Sequence, residues 1–354
     1  MHNNDKLLEI GSFSLKNNEK NKIFKKIINS LTDFHYSRSI KYRRLLDFLN
    51  YEKKKTKDLD AVPYLPVRLF KEFELKSIKE NDVFKVLLSS GTTGSSPSKI
   101  FLNKENAIAQ SKALNMIMKT VLGKERLPML IIDKNPLIKN RKILNARMAA
   151  INGFSIFGRD HTFLLDDDEN INYKILNNFL SKHNSKKFFI FGFTSIVYEN
   201  LIKKLSKNLL KFNLKNGILL HGGGWKKMEK IKVSNKIFKE RLFKQTGLTN
   251  IHNYYGLVEQ TGSIFVECRC GYFITSVFSD ILIRDKNFKI QKNGFKGFIQ
   301  LLSTLPTSYP GHSILTEDIG EIVENHKCNC SFQGKRFLVH GRIKEAEIRG
   351  CSDT

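Results

Sequence analysis

Residues 83–100 read VFKVLLSSGTTGSSPSKI, a short apolar, β-favouring run that passes into a loop of glycines and hydroxyl side chains closed by a lysine. The loop proper is Ser89-Ser90-Gly91-Thr92-Thr93-Gly94-Ser95-Ser96-Pro97-Ser98-Lys99. Glycines let backbone N–H groups come close to phosphate oxygens, hydroxyls add donors and the lysine adds positive charge. The spacing is neither the GxxxxGK[ST] of P-loop proteins nor the GxGxxG of dinucleotide folds. A surface loop of ordinary turn residues is the bland alternative. The strand pattern before the loop and the lysine at its end argue against it.

Upstream, residues 1–60 read as polar, Lys-rich helices. NKIFKKIINSLTDFHYSRSIKYRRLLDFLN (21–50) repeats apolar residues at three- and four-residue steps. AVPYLPVRLFKEF (61–73) carries Pro63 and Pro66, which favour an extended lead-in and then a turn into a helix. Downstream, KENAIAQSKALNMIMKTVLG (104–123) has helical periodicity. LPMLIID (127–133), KKFFIFGF (186–193) and GILLHGGG (217–224) are short buried-strand patterns. Helical stretches such as YKILNNFLSKH (173–183) and TSIVYENLIKKLSKNLL (194–210) alternate with them. This alternation predicts an α/β fold with mainly parallel sheets flanked by helices. From about Ser263, GYFITSVFSDILIRD, FKGFIQLLS and IGEIVE follow one another without long helices, which predicts a β-rich subdomain. The expected organisation is an α/β region with a helical N-terminus at 1–262, a β-rich subdomain at 263–340 and a hinge and tail at 341–354.

The chain has 354 residues and 41% hydrophobic content, enough for a large core and more than one subdomain. It lacks an apolar run of about 18 residues, so no membrane span is expected. Its start, MHNNDKLLEIGSF, lacks the basic and apolar regions of a secretory signal, and a cytoplasmic location is expected. The formal net charge is +26, but the lysines are spread through the chain and no nucleic-acid module appears. Nucleic acid is therefore not the expected partner. The five cysteines, an odd number, do not suggest a disulfide framework. Four of them form the pairs Cys268-Arg269-Cys270 and Cys328-Asn329-Cys330. Together these could give four thiolates to one structural Zn²⁺, with His326 as a substitute ligand. The spacing is tighter than the usual C-x₂-C, and four reduced thiols are the alternative.

The Ser/Thr-Ser/Thr-Gly-Thr-Thr-Gly loop, followed by Pro and Lys, resembles the phosphate loop of the adenylate-forming superfamily of acyl-CoA synthetases and luciferase-like ligases. Within that superfamily the chain is most similar to the acyl-protein synthetase (LuxE) family, with phenylacetate–CoA ligases as cousins. The resemblance runs from VPYLPVRLFKEF through ARMAAINGFSIFGRD, FGFTS, LLHGGGWKK, NYYGLVEQTGSIF and YPGHSILTEDIG to GRIKEAEIRGCSDT. It implies a large adenylate-forming domain, with the small C-terminal domain of that superfamily absent or minimal before Thr354. It also implies ATP and Mg²⁺ as cofactors.

By this resemblance Ser89, Ser90, Gly91, Thr92, Thr93, Gly94 and Lys99 hold the phosphates. Gly222, Gly223 and Gly224 form the adenine-contacting turn. One glycine would suffice for an ordinary turn, whereas three permit a flat ring to pack on backbone. Tyr254, Tyr255 and Gly256 complete the adenine side, and Glu259 binds Mg²⁺. Val258 stands where the family pattern Tyr-Gly-x-Thr-Glu has threonine, which removes one expected hydroxyl. Asp318 accepts hydrogen bonds from the ribose hydroxyls, with Glu317 in place of the usual glycine. Arg342 contacts ribose or phosphate. Phe191 and Phe193 read equally as pocket lining and as core.

The catalytic candidates are Glu259, Lys99 and Cys351. Cys351, beside Arg349, is the candidate acyl carrier near the C-terminus, with an inert terminal cysteine as the alternative. The superfamily's catalytic lysine sits in the small domain, and Lys99 and Lys226 are substitutes only because they adjoin nucleotide motifs. The implied reaction is activation of a carboxylic acid, fatty acids included, followed by transfer to a protein thiol. An acyl reductase or an acyl-carrier protein is the implied partner. A CoA ligase of the phenylacetate type and a non-catalytic nucleotide-binding protein are the alternatives.

Overall fold

The computed structural model describes residues 4–53, 57–89, 97–135, 146–324 and 328–343. They fall into two compact units. One joins the residues up to Ile117 to those from Gly256 onward, and the other is Met118–Tyr255. The fold is mixed α/β, as the alternating pattern implies. Among the described residues no helix is long and apolar enough to cross a membrane.

The Met118–Tyr255 unit is built on a parallel sheet. Leu127–Lys134 lies between Gly158–Leu165 and Phe188–Phe193, followed outward by Gly217–Gly222 and Asn250–Tyr255. Numbered along the chain, the order is that of a doubly wound sheet whose winding reverses at its first strand. Phe188–Phe193 and Gly217–Gly222 are buried throughout, which is why they read as continuous apolar runs. Helices fill the connections. Tyr173–His183 starts where the Asn172 side chain accepts from the Ile175 amide. Asn235–Thr246 is capped in the same way by Ser234.

The other unit carries an antiparallel sheet in the order Ser279–Arg284, Gly297–Ser303, Ser313–Val323, Arg336–Arg342, Phe273–Ile274 and Phe265–Glu267. Leu65–Pro66 adds to it in parallel beside Ser313–Val323. The prolines of that segment thus lead into a two-residue edge strand and then the short helix Leu69–Glu72. One core cluster unites Tyr42 and Leu46 of an N-terminal helix with Phe70, Ile100, Leu102, Tyr309 and Ile314. The β-favouring run before the Gly-rich loop forms a strand. Lys85–Leu88 forms an outlying two-stranded hairpin with Lys99–Leu102, and its side chains are largely exposed.

Two stacked histidines tie the long helix Asn17–Arg38 to the loop before Ser313–Val323. The rings of His35 and His312 lie 5.1 Å apart. Thr32 donates its hydroxyl proton to the Ile28 carbonyl (2.9 Å) and so accepts from His312 Nε2, also at 2.9 Å. That leaves His312 Nδ1 as an acceptor with no partner among the described residues. His35 donates from Nε2 to the Pro306 carbonyl (3.1 Å) and accepts from Ser77 (2.8 Å) at Nδ1. Burial, and then the neighbouring His35, hold His312 well below the ordinary histidine range.

A histidine that resists protonation when folded, but accepts a proton near pH 6.5 when unfolded, stabilises the fold fully above that pH. Its contribution is lost progressively as pH falls below it. Urea midpoints should therefore drop between pH 7 and pH 5.5, with a slope of up to about 1.4 kcal/mol per pH unit from His312. The His312 ring should stay neutral by NMR over that range, and a protonated ring in the folded protein at pH 5.5 would contradict this.

Candidate functional site

In the first unit, the turn after Gly256 places a carboxyl group in the interior. Val258–Gln260 forms one 3₁₀ turn, and Glu259 is 4% exposed. The turn is gripped from three sides. Tyr309 donates its hydroxyl to the Glu259 carbonyl at 2.9 Å. The Gln260 side-chain amide donates to the carbonyls of Gly311 (2.9 Å) and Leu301 (3.2 Å). Gly262, at φ +86°, lies so close to Gln110 that a Cβ there would meet its carbonyl oxygen at 2.6 Å. Only glycine meets both demands. Burial pushes the Glu259 carboxyl above the usual carboxylate range, with the Ser98 side chain, the residue's own amide, Lys71 and Arg342 pulling the other way.

Asp318 and Arg342 face each other on neighbouring strands, as register partners. Arg342 Nε lies 3.5 Å from Asp318 Oδ1. The Asp318 amide donates to Thr316 Oγ1, which itself donates to the Ile299 carbonyl. A ladder irregularity follows at Ile319/Gly320, a common way to re-aim side chains beside functional sites. At the base of the Gly-rich loop, the Ser89 amide donates to the Ser98 carbonyl (3.0 Å), and the Ser98 amide donates to Ser89 Oγ (2.8 Å). These two bonds extend the pairing of Lys85–Leu88 with Lys99–Leu102 by one step on the loop side. Lys99 pairs with Glu74 at 2.9 Å, with both side chains about half exposed. That partner holds the Glu74 carboxyl below its usual range.

In the second unit, the carboxyl ends of the parallel strands gather the remaining motifs, the edge where doubly wound sheets bind ligands. Gly222 ends its strand against the ring of Tyr254, where an added Cβ would lie 2.4 Å from Cε1. The flat ring that this glycine admits is thus the chain's own. The Tyr254 ring also packs on Phe154 at 4.9 Å and lies near-parallel to Phe191 at 6.4 Å. Phe191 and Phe193 are core residues, at 0% and 1% exposure. Thr194 donates to the Gly222 carbonyl (3.1 Å) and accepts from His221 Nδ1 (2.9 Å), which leaves His221 Nε2 unprotonated. Burial, then Lys239 and His252, push the His221 pKa down to about 3. A second acidic end, Asp133, is buried in a bidentate pair with Arg147 at 2.6 and 2.5 Å.

The cysteines of the first unit converge. Cys268 Sγ lies 3.7 Å from Cys328 Sγ, and Cys328 Sγ lies 3.2 Å from Cys330 Sγ. Cys270 donates its thiol proton to Asn329 Oδ1 at 3.1 Å. Burial pushes the Cys268 thiol up to about 12. Burial also opposes ionisation of Cys328, but hydrogen bonds from the Cys330 amide and the Arg336, Cys330 and Cys270 side chains outweigh it, bringing that thiol down to about 6.

Compared with protein families, the sequence matches the acyl-protein synthetase (LuxE) family over residues 2–354. The chain belongs to the LuxE acyl-protein synthetase family. No curated protein matches it. Among solved structures, it is similar to 2-hydroxyisobutyryl-CoA ligase in an open conformation in complex with 2-HIB-AMP and CoA. That match has 14% identity and a TM-score of 0.72, covering 94% of this chain and 77% of the ligase. The post-adenylation state of the same ligase with 2-HIB-AMP gives 14% identity and a TM-score of 0.73, over 94% and 69% of the two chains. At that identity the likeness establishes the fold, and it is the fold of an adenylate-forming ligase.

For this LuxE-family chain, Glu259, Asp318, Arg342, Gly256, Ser89 and Lys99 fall in the first unit. Gly222, Gly223, Gly224, Tyr254 and Tyr255 fall in the second. Ser90, Gly91, Thr92, Thr93, Gly94, His326 and Cys351 lie outside the described residues. Tyr309, Gln260 and Gly311, which set the Glu259 turn, carry no signal of their own in the sequence, although YPGH lies within the stretches that resemble the family. Replacing Tyr309 with Phe should leave the buried Glu259 carbonyl without this donor, at a cost of about 1–3 kcal/mol. Gly222→Ala should displace the Tyr254 ring at a similar cost, about 1–3 kcal/mol. Urea unfolding checks both, and near-UV circular dichroism should report the moved tyrosine only in Gly222→Ala.

Proposed function

We propose that this protein activates a carboxylic acid with ATP, releasing pyrophosphate, and then passes the acyl group to a thiol. The observation that carries this reading is the acyl-protein synthetase family match over residues 2–354. The buried Glu259 carboxyl, in a turn held by Tyr309 and Gln260, supports it from the geometry. In the first step a carboxylate oxygen attacks the α-phosphorus of ATP. The bond to the bridging oxygen breaks and pyrophosphate leaves. In the second step a thiolate attacks the acyl carbon of the mixed anhydride, and AMP leaves.

The roles assigned to residues belong to this proposal. Asp318 accepts from the ribose hydroxyls, and Arg342 sits beside it to orient the carboxylate and meet the nucleotide's charge. Glu259 holds Mg²⁺, which when bound neutralises charge on the phosphates. Its buried carboxyl gains a counter-charge on binding the ion, which favours ionisation. Ser89 to Gly94 and Lys99 cradle the phosphates. The Gly222–Gly224 turn with Tyr254 and Tyr255 forms the adenine side, where Thr194 fixes the Gly222 carbonyl through its hydrogen bond. Cys351 is the proposed acyl acceptor.

A second reading, direct transfer to coenzyme A, is favoured by the fold's likeness to a CoA ligase solved with CoA. ATP–pyrophosphate exchange over a panel of short, aromatic and long-chain acids tests the first step, and acid-dependent exchange is expected. A hydroxylamine-labile acyl label on the chain, lost in Cys351→Ser, would support self-acylation. Acyl-CoA formation with no label would select the CoA reading. Asp318→Asn should lower exchange about 10- to 100-fold, as expected for charge-assisted hydrogen bonds worth about 1.5–3 kcal/mol. Unchanged exchange in that variant would remove Asp318 from the site.

A further inference from the structure

We infer that Cys268, Cys270, Cys328 and Cys330 form a structural site for one Zn²⁺ with four thiolate ligands. A zinc ion with sulfur ligands at about 2.3 Å places neighbouring sulfurs about 3.8 Å apart along the edges of the tetrahedron. Cys268 and Cys328, which come from different pairs, stand 3.7 Å apart. The sulfurs of Cys268, Cys328 and Cys330 all lie within 4.8 Å of one another. Three vertices are thus gathered. Cys270 reaches across to Asn329, the residue between the other two cysteines, and a side-chain rotation supplies the fourth vertex.

The backbone is built to hold this arrangement. Cys268 and Cys270 sit at the tip of the hairpin formed by Phe265–Glu267 and Phe273–Ile274, with the Cys268 amide donating to the Tyr272 carbonyl at 2.8 Å. Phe273–Ile274 pairs on its other side with the strand beginning at Arg336, just after Cys328 and Cys330. Both cysteine pairs therefore hang from one short strand. The Arg336 guanidinium donates to the Phe332 carbonyl at 2.7 Å and lies 3.6 Å from Cys330 Sγ. A four-thiolate zinc centre carries net negative charge, and a guanidinium donating to a ligand sulfur is the outer-shell partner such a centre needs. An iron–sulfur cluster would hold the two pairs apart by the width of the cluster, which the short cross-pair distance does not allow.

The site also has a mechanical task. The loop after Cys330 carries Phe332, stacked on Phe13 at 4.8 Å. The amides of Gln333 and Val277 donate to the carbonyls of Phe13 and Ser12, both at 2.8 Å. Metal binding, with release of the thiol protons to solvent, would fix this loop and through it the N-terminal segment.

The test uses the full chain expressed in zinc-supplemented medium. Elemental analysis should give about one zinc per chain, as a closed structural site requires. Cobalt substitution should give the absorption of a tetrahedral four-thiolate centre. Cys328→Ser should abolish metal retention, and Cys270→Ser should weaken it and change the cobalt spectrum. Chelation should raise hydrogen exchange at the Gln333 and Val277 amides. Wild-type protein that retains no zinc, or in which all five thiols of the chain titrate readily after supplementation, overturns the proposal without reference to any variant. A cobalt spectrum unchanged in Cys270→Ser overturns the four-ligand set, and unchanged exchange on chelation overturns the structural role.

Discussion

The hydrogen bond from Tyr309 to the carbonyl of Glu259 joins two loops that are about fifty residues apart in sequence. Tyr309 is fully buried, so its hydroxyl must find a partner, and a backbone carbonyl is the partner it finds. Gln260 repeats the bargain in the opposite direction, from the Glu259 turn to Gly311. The Tyr309 loop is held in turn by the core around Tyr42, Phe70 and Ile314, and by His312 through Thr32. A carboxyl group is thus kept in the interior by packing that begins in the N-terminal helix. Water cannot solvate it there, and its charge depends on what stands beside it.

The second unit uses a different constraint. Its parallel strands bring several chain segments to one edge, and that edge is closed by local devices: Thr194 on Gly222, Tyr254 over Gly222, and Arg147 on Asp133. Each fixes backbone or side-chain position by a short contact that a small change would break. Fixed backbone at the carboxyl edge of a parallel sheet is what recognition of a flat, polar ligand requires.

Much of the fold is legible in the sequence where burial is two-sided. YKILNNFLSKH is a helix over those same residues, and FFIFGF and GILLHG are central strands. Gly158–Leu165 is less legible, because as an edge strand its first half is polar and exposed. The β-favouring run before the Gly-rich loop does form a strand, but its apolar side chains are largely exposed, which its pattern does not reveal. The motif glycines are legible as positions but not as reasons. Gly222 admits a ring, yet the ring is Tyr254, from a strand over thirty residues away in sequence. The association of the N-terminal helices with the C-terminal strands in one unit rests on contacts such as His35–Pro306 and Lys20–Thr275, which no periodicity encodes. The cysteine pairs are the opposite case, since their convergence is foreshadowed by spacing alone.

The proposed adenylation depends most on Glu259 serving as the magnesium ligand. The most direct measurement is the Mg²⁺ dependence of acid-dependent ATP–pyrophosphate exchange in the wild type and in Glu259→Gln, which keeps the side chain's size and loses its charge. Exchange in the variant should be at least about 100-fold lower at saturating Mg²⁺, in line with removal of a group that stabilises transition-state charge. The Mg²⁺ midpoint should also shift to higher concentration. Equal rates with the same Mg²⁺ midpoint in a folded variant would contradict that role for Glu259.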